Sequence, residues 1–265
     1  LNYLTHPGLK KWHRTGYMEK DIVDYETKNL KAQSSMHYMI TPKTELIYSL
    51  NYSTGTTVYQ GDNRFSLKNI QFWQNKFANL ESYPVYFESN HSLAKCGLVE
   101  HCAGHQKKNK ITFLCIRRDY VTLCKSYIDR GDFDNMTVCW QWYLDHKYRN
   151  KIVDPAALLE ITEAGPVIWY AFEMEARQEY YKILYGDQFQ FVDLSLETMT
   201  TQANANKLID ELNGSTPARL PPARNQNLHN QDDLISSKLT EIFMQIDFDP
   251  VIVAQDYIDQ GHRLG

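Results

Sequence analysis

The sequence predicts an α/β fold in which a central parallel sheet of about 4–5 strands is flanked by helices. The main observation is alternation, because short apolar runs are followed repeatedly by segments with helical periodicity. The clearest pair is the apolar run at 110–116 and the amphipathic segment at 119–130. Strands that alternate with helices form βαβ units, and parallel sheets bind ligands at the carboxyl ends of their strands.

Length and composition exclude several classes of protein. The chain has 265 residues, of which 43% are hydrophobic and 23% charged, as in folded globular proteins. The net charge of −4 argues against a nucleic-acid-binding module, which usually carries a basic excess. No apolar run approaches the roughly 20 residues that a membrane span needs. We therefore expect a single α/β domain over residues 1–265.

The elements follow in a regular order. Residues 1–43 are polar and mixed, and we interpret them as an N-terminal extension. Strands are predicted at 45–52, 84–88, 110–116, 167–172 and 189–194. The helices between and after the strands are predicted at 58–80, 92–106, 119–130, 135–148, 155–163, 173–185, 198–212 and 232–245. The segment 215–231 is rich in Pro, Asn and Arg, so it is a long loop and a candidate lid.

The first motif with a chemical meaning is a small-residue turn after the first strand. It consists of Ser53, Thr54, Gly55, Thr56 and Thr57. Small residues let successive backbone N–H groups point at one anion, and the following helix adds the positive end of its dipole. The alternative is an ordinary Ser/Thr-rich turn with a helix cap. The motif is not a Walker A loop, because the Gly-Lys-Ser/Thr ending is absent.

The second motif follows the clearest strand, where Arg117 and Arg118 stand at its carboxyl end. Ser126 lies about two helical turns beyond Arg118. A guanidinium offers a planar pair of donors to a phosphate, and a serine hydroxyl completes the binding site. The alternative is a surface arginine pair in a salt bridge with Asp119 or Asp129.

These motifs in this order resemble the sulfotransferase family, whose members use 3′-phosphoadenosine 5′-phosphosulfate (PAPS). The residues that carry the resemblance are Thr54, Gly55, Thr56, Thr57, Arg118 and Ser126, and residues 44–213 fit the family's layout. The resemblance implies a P-loop-like sulfotransferase architecture. It also implies that the first loop holds the 5′-phosphosulfate and that Arg118 with Ser126 holds the 3′-phosphate.

A third motif, Glu88-Ser-Asn-His91, follows the second strand. Family members often place a catalytic histidine here, and an imidazole can accept the acceptor's proton at neutral pH. His91 is therefore the candidate base, with Glu88 as its competitor. Capping of the following helix is the alternative for His91. Tyr170 and Phe172 either contact the adenine or pack in the core.

Two basic residues of the family pattern are missing from this sequence. Many members have Lys or Arg where this chain has Ser53, and cytosolic members tend to have Lys at the position of Ser89. The family's C-terminal basic segment is also not visible. Arg219 and Arg224, in the long loop, are the candidates to close over the nucleotide.

The function expected from the resemblance is PAPS-dependent transfer of a sulfuryl group to the hydroxyl or amine of a small molecule or glycan. No metal is required. The alternatives are a P-loop-type kinase and a nucleotide-binding protein of the same fold with weakened catalysis. The odd number of cysteines, 5, and the sequons at Asn51 and Asn90 inside the proposed site favour a cytoplasmic location. The sequence also leaves open that an N-terminal targeting segment has been removed.

Overall fold

The computed structural model describes residues 74, 77, 97–105, 111–130, 133, 144, 146, 151–214, 217–220 and 233–264. Within these ranges the strands are β1 (Thr112–Arg117) and β2 (Gln190–Ser195). The helices are α1 (Leu98–Ala103), α2 (Tyr120–Arg130), α3 (Ala156–Ile161), α4 (Gly165–Tyr185), α5 (Gln202–Glu211), α6 (Asp233–Phe243) and α7 (Pro250–Asp259).

β1 and β2 pair in parallel, in a register that places Thr112 opposite Gln190 and Arg117 opposite Ser195. Helices α2, α3 and α4 lie between the two strands in the sequence, as parallel pairing requires a long connection. The α/β class is therefore confirmed in its general form. The strands predicted at 45–52 and 84–88 lie outside the described residues.

The strand predicted at 167–172 is wrong, because these residues belong to helix α4. The segment reads Val-Ile-Trp-Tyr-Ala-Phe, and β-branched and aromatic residues favour strands. All six side chains are buried, so this part of the helix is apolar on every side and shows no helical periodicity. A short apolar run of this kind cannot be distinguished from a buried strand by its pattern alone.

Helix α4 forms the centre of the described fold, where it packs against α2, α3 and α7. Its first residue, Gly165, lies so close to α3 that a Cβ there would come within 2.5 Å of the Leu158 carbonyl oxygen. Only glycine allows this approach of the two backbones. Pro166 follows at a position where its missing N–H costs no hydrogen bond.

The core beside α4 contains a buried ion pair. Glu173 is fully buried and accepts hydrogen bonds from the backbone N–H groups of Ile152 (2.9 Å) and Val153 (2.8 Å). The Arg177 Nε donates to the same carboxylate at 2.6 Å. These contacts satisfy the Glu173 charge in the interior and attach the segment before α3 to α4.

The remaining helices agree with the predicted order, with one addition. Helices α2, α3, α5 and α6 confirm the segments predicted at 119–130, 155–163, 198–212 and 232–245. Helix α7 was not predicted, although Asp249 caps it by accepting from Val251 N–H at 2.8 Å. Among the described helices, none combines the length and the apolar character that a membrane crossing requires.

Candidate functional site

The carboxyl ends of β1 and β2 lie side by side, because Arg117 pairs with Ser195 in the sheet register. The backbone N–H of Leu196 also donates to the Arg117 carbonyl at 2.9 Å, so the chain after β2 stays next to the chain after β1. We call Arg118, Asp119, Ser195 and Glu197 the carboxyl-edge cluster. It stands where parallel sheets usually bind ligands.

Arg117 belongs to a different group of charges. Its guanidinium forms an ion pair with Glu179 of α4, and its Nε lies 3.4 Å from an Asp193 carboxylate oxygen. Lys182 binds Glu179 as well, at 3.0 Å. Arg117 therefore connects the end of β1 to α4 and β2, and its charge is used inside the protein.

Arg118 is the arginine whose charge is not used in this way. It is half-buried, and within the described residues no hydrogen bond or ion pair ends on its guanidinium. Its positive charge contributes to the lowering of the pKa of the Glu197 carboxylate. A half-buried guanidinium with open donors is suited to binding an anion.

The alternative of a simple surface salt bridge does not describe the two aspartates. Asp119 Oδ1 accepts from the backbone N–H (2.8 Å) and the hydroxyl (2.7 Å) of Thr122, so it caps α2. Asp129 binds Lys125 at 2.8 Å. Neither aspartate forms an ion pair with Arg118 in the described part of the chain.

Ser126 lies on α2, and the helix rises about 9 Å between Tyr120 and this residue. It is only 6% exposed. Arg118 and Ser126 thus belong to one β1–α2 unit, as the sequence predicts. A phosphate shared by both requires the Arg118 side chain to fold back along α2.

Glu197 completes the cluster from the other strand. One carboxylate oxygen accepts from the Asp119 N–H at 3.1 Å, and the other accepts from the Ser195 hydroxyl at 2.8 Å. Slight burial raises the pKa of Glu197, but these hydrogen bonds and the Arg118 charge together lower it below its usual range. A negative charge therefore already stands at the start of α2.

The start of α2 is held firmly by aromatic packing. The Tyr120 ring lies 5.0 Å from the Phe172 ring and 5.5 Å from the Phe243 ring, and Phe172 stacks on Phe248 at 3.9 Å. The Tyr120 hydroxyl donates to Glu175, and burial with this hydrogen bond raises the pKa of Tyr120. The phenol therefore stays a donor and fixes the residues that follow Arg118.

Tyr170 and Phe172, the aromatic residues considered for adenine contact, are core residues of α4. They are 3% and 2% exposed. They follow no strand, and Tyr170 packs against the ring of Tyr127. Core packing is the alternative that the structure supports.

Two buried thiols are unsuited to nucleophilic chemistry. Burial raises the pKa of Cys115 to about 11 and that of Cys124 to about 12. Because the thiolate is the reactive form, neither residue is a candidate nucleophile.

The other predicted site residues fall outside the described residues. They are Ser53, Thr54, Gly55, Thr56, Thr57, Glu88, His91 and Arg224. Arg219 is described and exposed. Its neighbour Ala218 donates to Asn206 Oδ1 at 2.9 Å, which places this part of the loop beside the first turns of α5.

The sequence reasoning missed Ser195 and Glu197, although the signal was present. Both follow directly from the strand predicted at 189–194, and the rule that ligand groups stand after parallel strands applies there too. The sequence instead directs attention to Tyr170 and Phe172 at the end of the strand predicted at 167–172, but those residues are helical.

The chain was also compared with known proteins. It matches no protein-family model, no curated protein and no solved structure.

Proposed function

We propose that the protein is a PAPS-dependent sulfotransferase with a P-loop-like sheet of about 4–5 strands. The support comes from the ordered sequence motifs together with the described β1–α2 unit. The observation that carries the proposal is the Arg118 guanidinium, which stands at a parallel strand's carboxyl end without an ion-pair partner among the described residues.

In this proposal Arg118 and Ser126 bind the 3′-phosphate of the nucleotide. The guanidinium supplies charge-assisted hydrogen bonds from the segment before α2, and the Ser126 hydroxyl supplies a neutral donor from α2. Arg117 cannot take this part, because it is bound to Glu179 and lies close to Asp193. The resemblance assigns the 5′-phosphosulfate to Ser53, Thr54, Gly55, Thr56 and Thr57, with Arg224 closing over the nucleotide.

The proposed reaction is direct transfer between two oxygens or from oxygen to nitrogen. The acceptor's hydroxyl oxygen or amine nitrogen forms a bond to sulfur while the bond from sulfur to the 5′-phosphate oxygen breaks. His91 accepts the acceptor's proton, and 3′-phosphoadenosine 5′-phosphate (PAP) leaves. A cytoplasmic location and a small-molecule or glycan acceptor belong to the same proposal.

Titration calorimetry with PAP tests the nucleotide site. Arg118→Ala is expected to weaken binding by roughly 1.5–3 kcal/mol, which is about 10- to 150-fold, because charge-assisted hydrogen bonds are lost. Lys238→Ala, which removes a charge from an exposed position on α6, is the matched control and should bind as the wild type does. Equal affinities of the Arg118 and Lys238 variants would contradict the assignment.

Release of PAP from PAPS, measured with hydroxyl and amine acceptors, is the second arm of this experiment. Acceptor-dependent release supports the sulfotransferase. Binding of PAP without release under any acceptor would instead indicate the catalytically weakened protein, which the missing cations at Ser53 and Ser89 favour. Magnesium-dependent ATP binding without PAP binding would favour the P-loop-type kinase.

A further inference from the structure

The Glu197 carboxylate accepts a hydrogen bond from a backbone N–H group that could otherwise bind an anionic ligand at Arg118. The donor is the Asp119 N–H, at 3.1 Å, and this N–H stands at the start of α2. Backbone N–H groups at a helix start are preferred partners of phosphates and carboxylates. The side chain is tied there by the Ser195 hydroxyl at 2.8 Å.

The same carboxylate acts on Arg118 through space. Glu197 lies beside Arg118 because its carboxylate accepts from the N–H of the next residue, Asp119, at 3.1 Å, yet no hydrogen bond joins the two side chains within the described residues. The guanidinium therefore keeps its donors for a ligand, while part of its positive potential is cancelled.

We infer that Glu197 is a specificity-determining residue: its charge weakens the binding of a phosphate at Arg118 and so sets the affinity for a 3′-phosphorylated nucleotide. The inference rests on the proposed function, since it takes the Arg118 site as the 3′-phosphate site. A phosphate placed at Arg118 meets repulsion from Glu197 that an otherwise identical nucleotide without a 3′-phosphate does not meet. The protein therefore distinguishes a nucleotide with a 3′-phosphate from one without it less strongly than Arg118 alone would.

Glu197→Gln isolates the charge. The glutamine oxygen can still accept from the Asp119 N–H, and its amide can donate to the Ser195 hydroxyl, so the contacts across the two strands are kept. Removal of one negative charge near the phosphate should tighten PAP binding by about 3- to 30-fold. Binding of 5′-AMP, which lacks the 3′-phosphate, should not change.

Titration calorimetry with PAP and with 5′-AMP on the full chain tests this inference. Glu211→Gln is the matched control, because it removes the same charge at the far end of α5, and it should leave both affinities unchanged. PAP affinity that rises only in the Glu197 variant supports the inference.

The failures can be told apart. If the wild type binds PAP and Glu197→Gln binds it equally or more weakly, the inference is overturned and the proposed function is unaffected. An equal gain for PAP and 5′-AMP also overturns it, because the charge would then not act on the 3′-phosphate. No PAP binding by either protein overturns the proposed function and the inference together.

Discussion

Arg117 and Arg118 are adjacent in the sequence, but they belong to two groups of charges with different contacts. Two buried glutamates of α4 bind arginines: Glu173 pairs with Arg177, and Glu179 pairs with Arg117 at the end of β1. At the carboxyl edge, Arg118 stays without an ion-pair partner among the described residues. Two adjacent arginines of one sequence motif thus have different surroundings.

The difference follows from strand geometry and burial. Successive side chains of a strand point to opposite faces, and Arg117 is the last residue of β1, where it faces α4. Arg118 stands beyond the strand, where none of the described helices supplies a carboxylate that forms an ion pair with it. Charges along α4 should therefore stabilise the fold, whereas Arg118 should matter for binding.

The largest expected effect concerns the fully buried carboxylate. Glu173→Ala should lower the free energy of unfolding by about 3–5 kcal/mol, because it leaves the Arg177 charge buried without this carboxylate. Urea unfolding measures the change, with Glu211→Ala at an exposed position as the control. A loss below about 1 kcal/mol would contradict the importance given to this buried pair.

A comparison of the two arginines gives the next largest effect. Arg117→Ala should lower the free energy of unfolding by about 1.5–3 kcal/mol, since Glu179 loses a charged partner. Arg118→Ala should change it by about 0.5 kcal/mol or less, because no ion pair in the described structure is broken. Urea unfolding of both variants provides the comparison. Equal losses would remove the distinction between the two regions.

Much of the fold follows from local sequence pattern. β1 is a short apolar run that ends before polar residues, and α2 is an amphipathic segment with Asp119 at its cap position. β2 is a mixed run, Gln-Phe-Val-Asp-Leu-Ser. Helix α7 carried an equally clear signal that was overlooked, because Asp249 precedes Pro250 at the first helical position. The error at 167–172 has another cause: burial on all sides removes the periodicity on which such predictions depend.

The site was predictable only in part. The sequence predicts that Arg118 and Ser126 share a strand–helix unit, and the structure agrees. It does not tell which of the two arginines is used internally, because Glu179 and Asp193 approach only through tertiary packing. The position of Glu197 depends on the register of β2 beside β1, which no local pattern specifies.

The smallest effect tests whether the carboxyl-edge cluster contributes stability through its cap rather than through its arginine. Asp119→Ala removes the acceptor for the Thr122 N–H and should lower the free energy of unfolding by about 1 kcal/mol. Asp119→Asn, which keeps a side-chain oxygen for the same N–H, is the control and should retain most of the stability. Urea unfolding of both variants decides the point. If the alanine variant were as stable as the wild type, the cap would not explain how this edge is held, and the Glu197 contacts would have to do so.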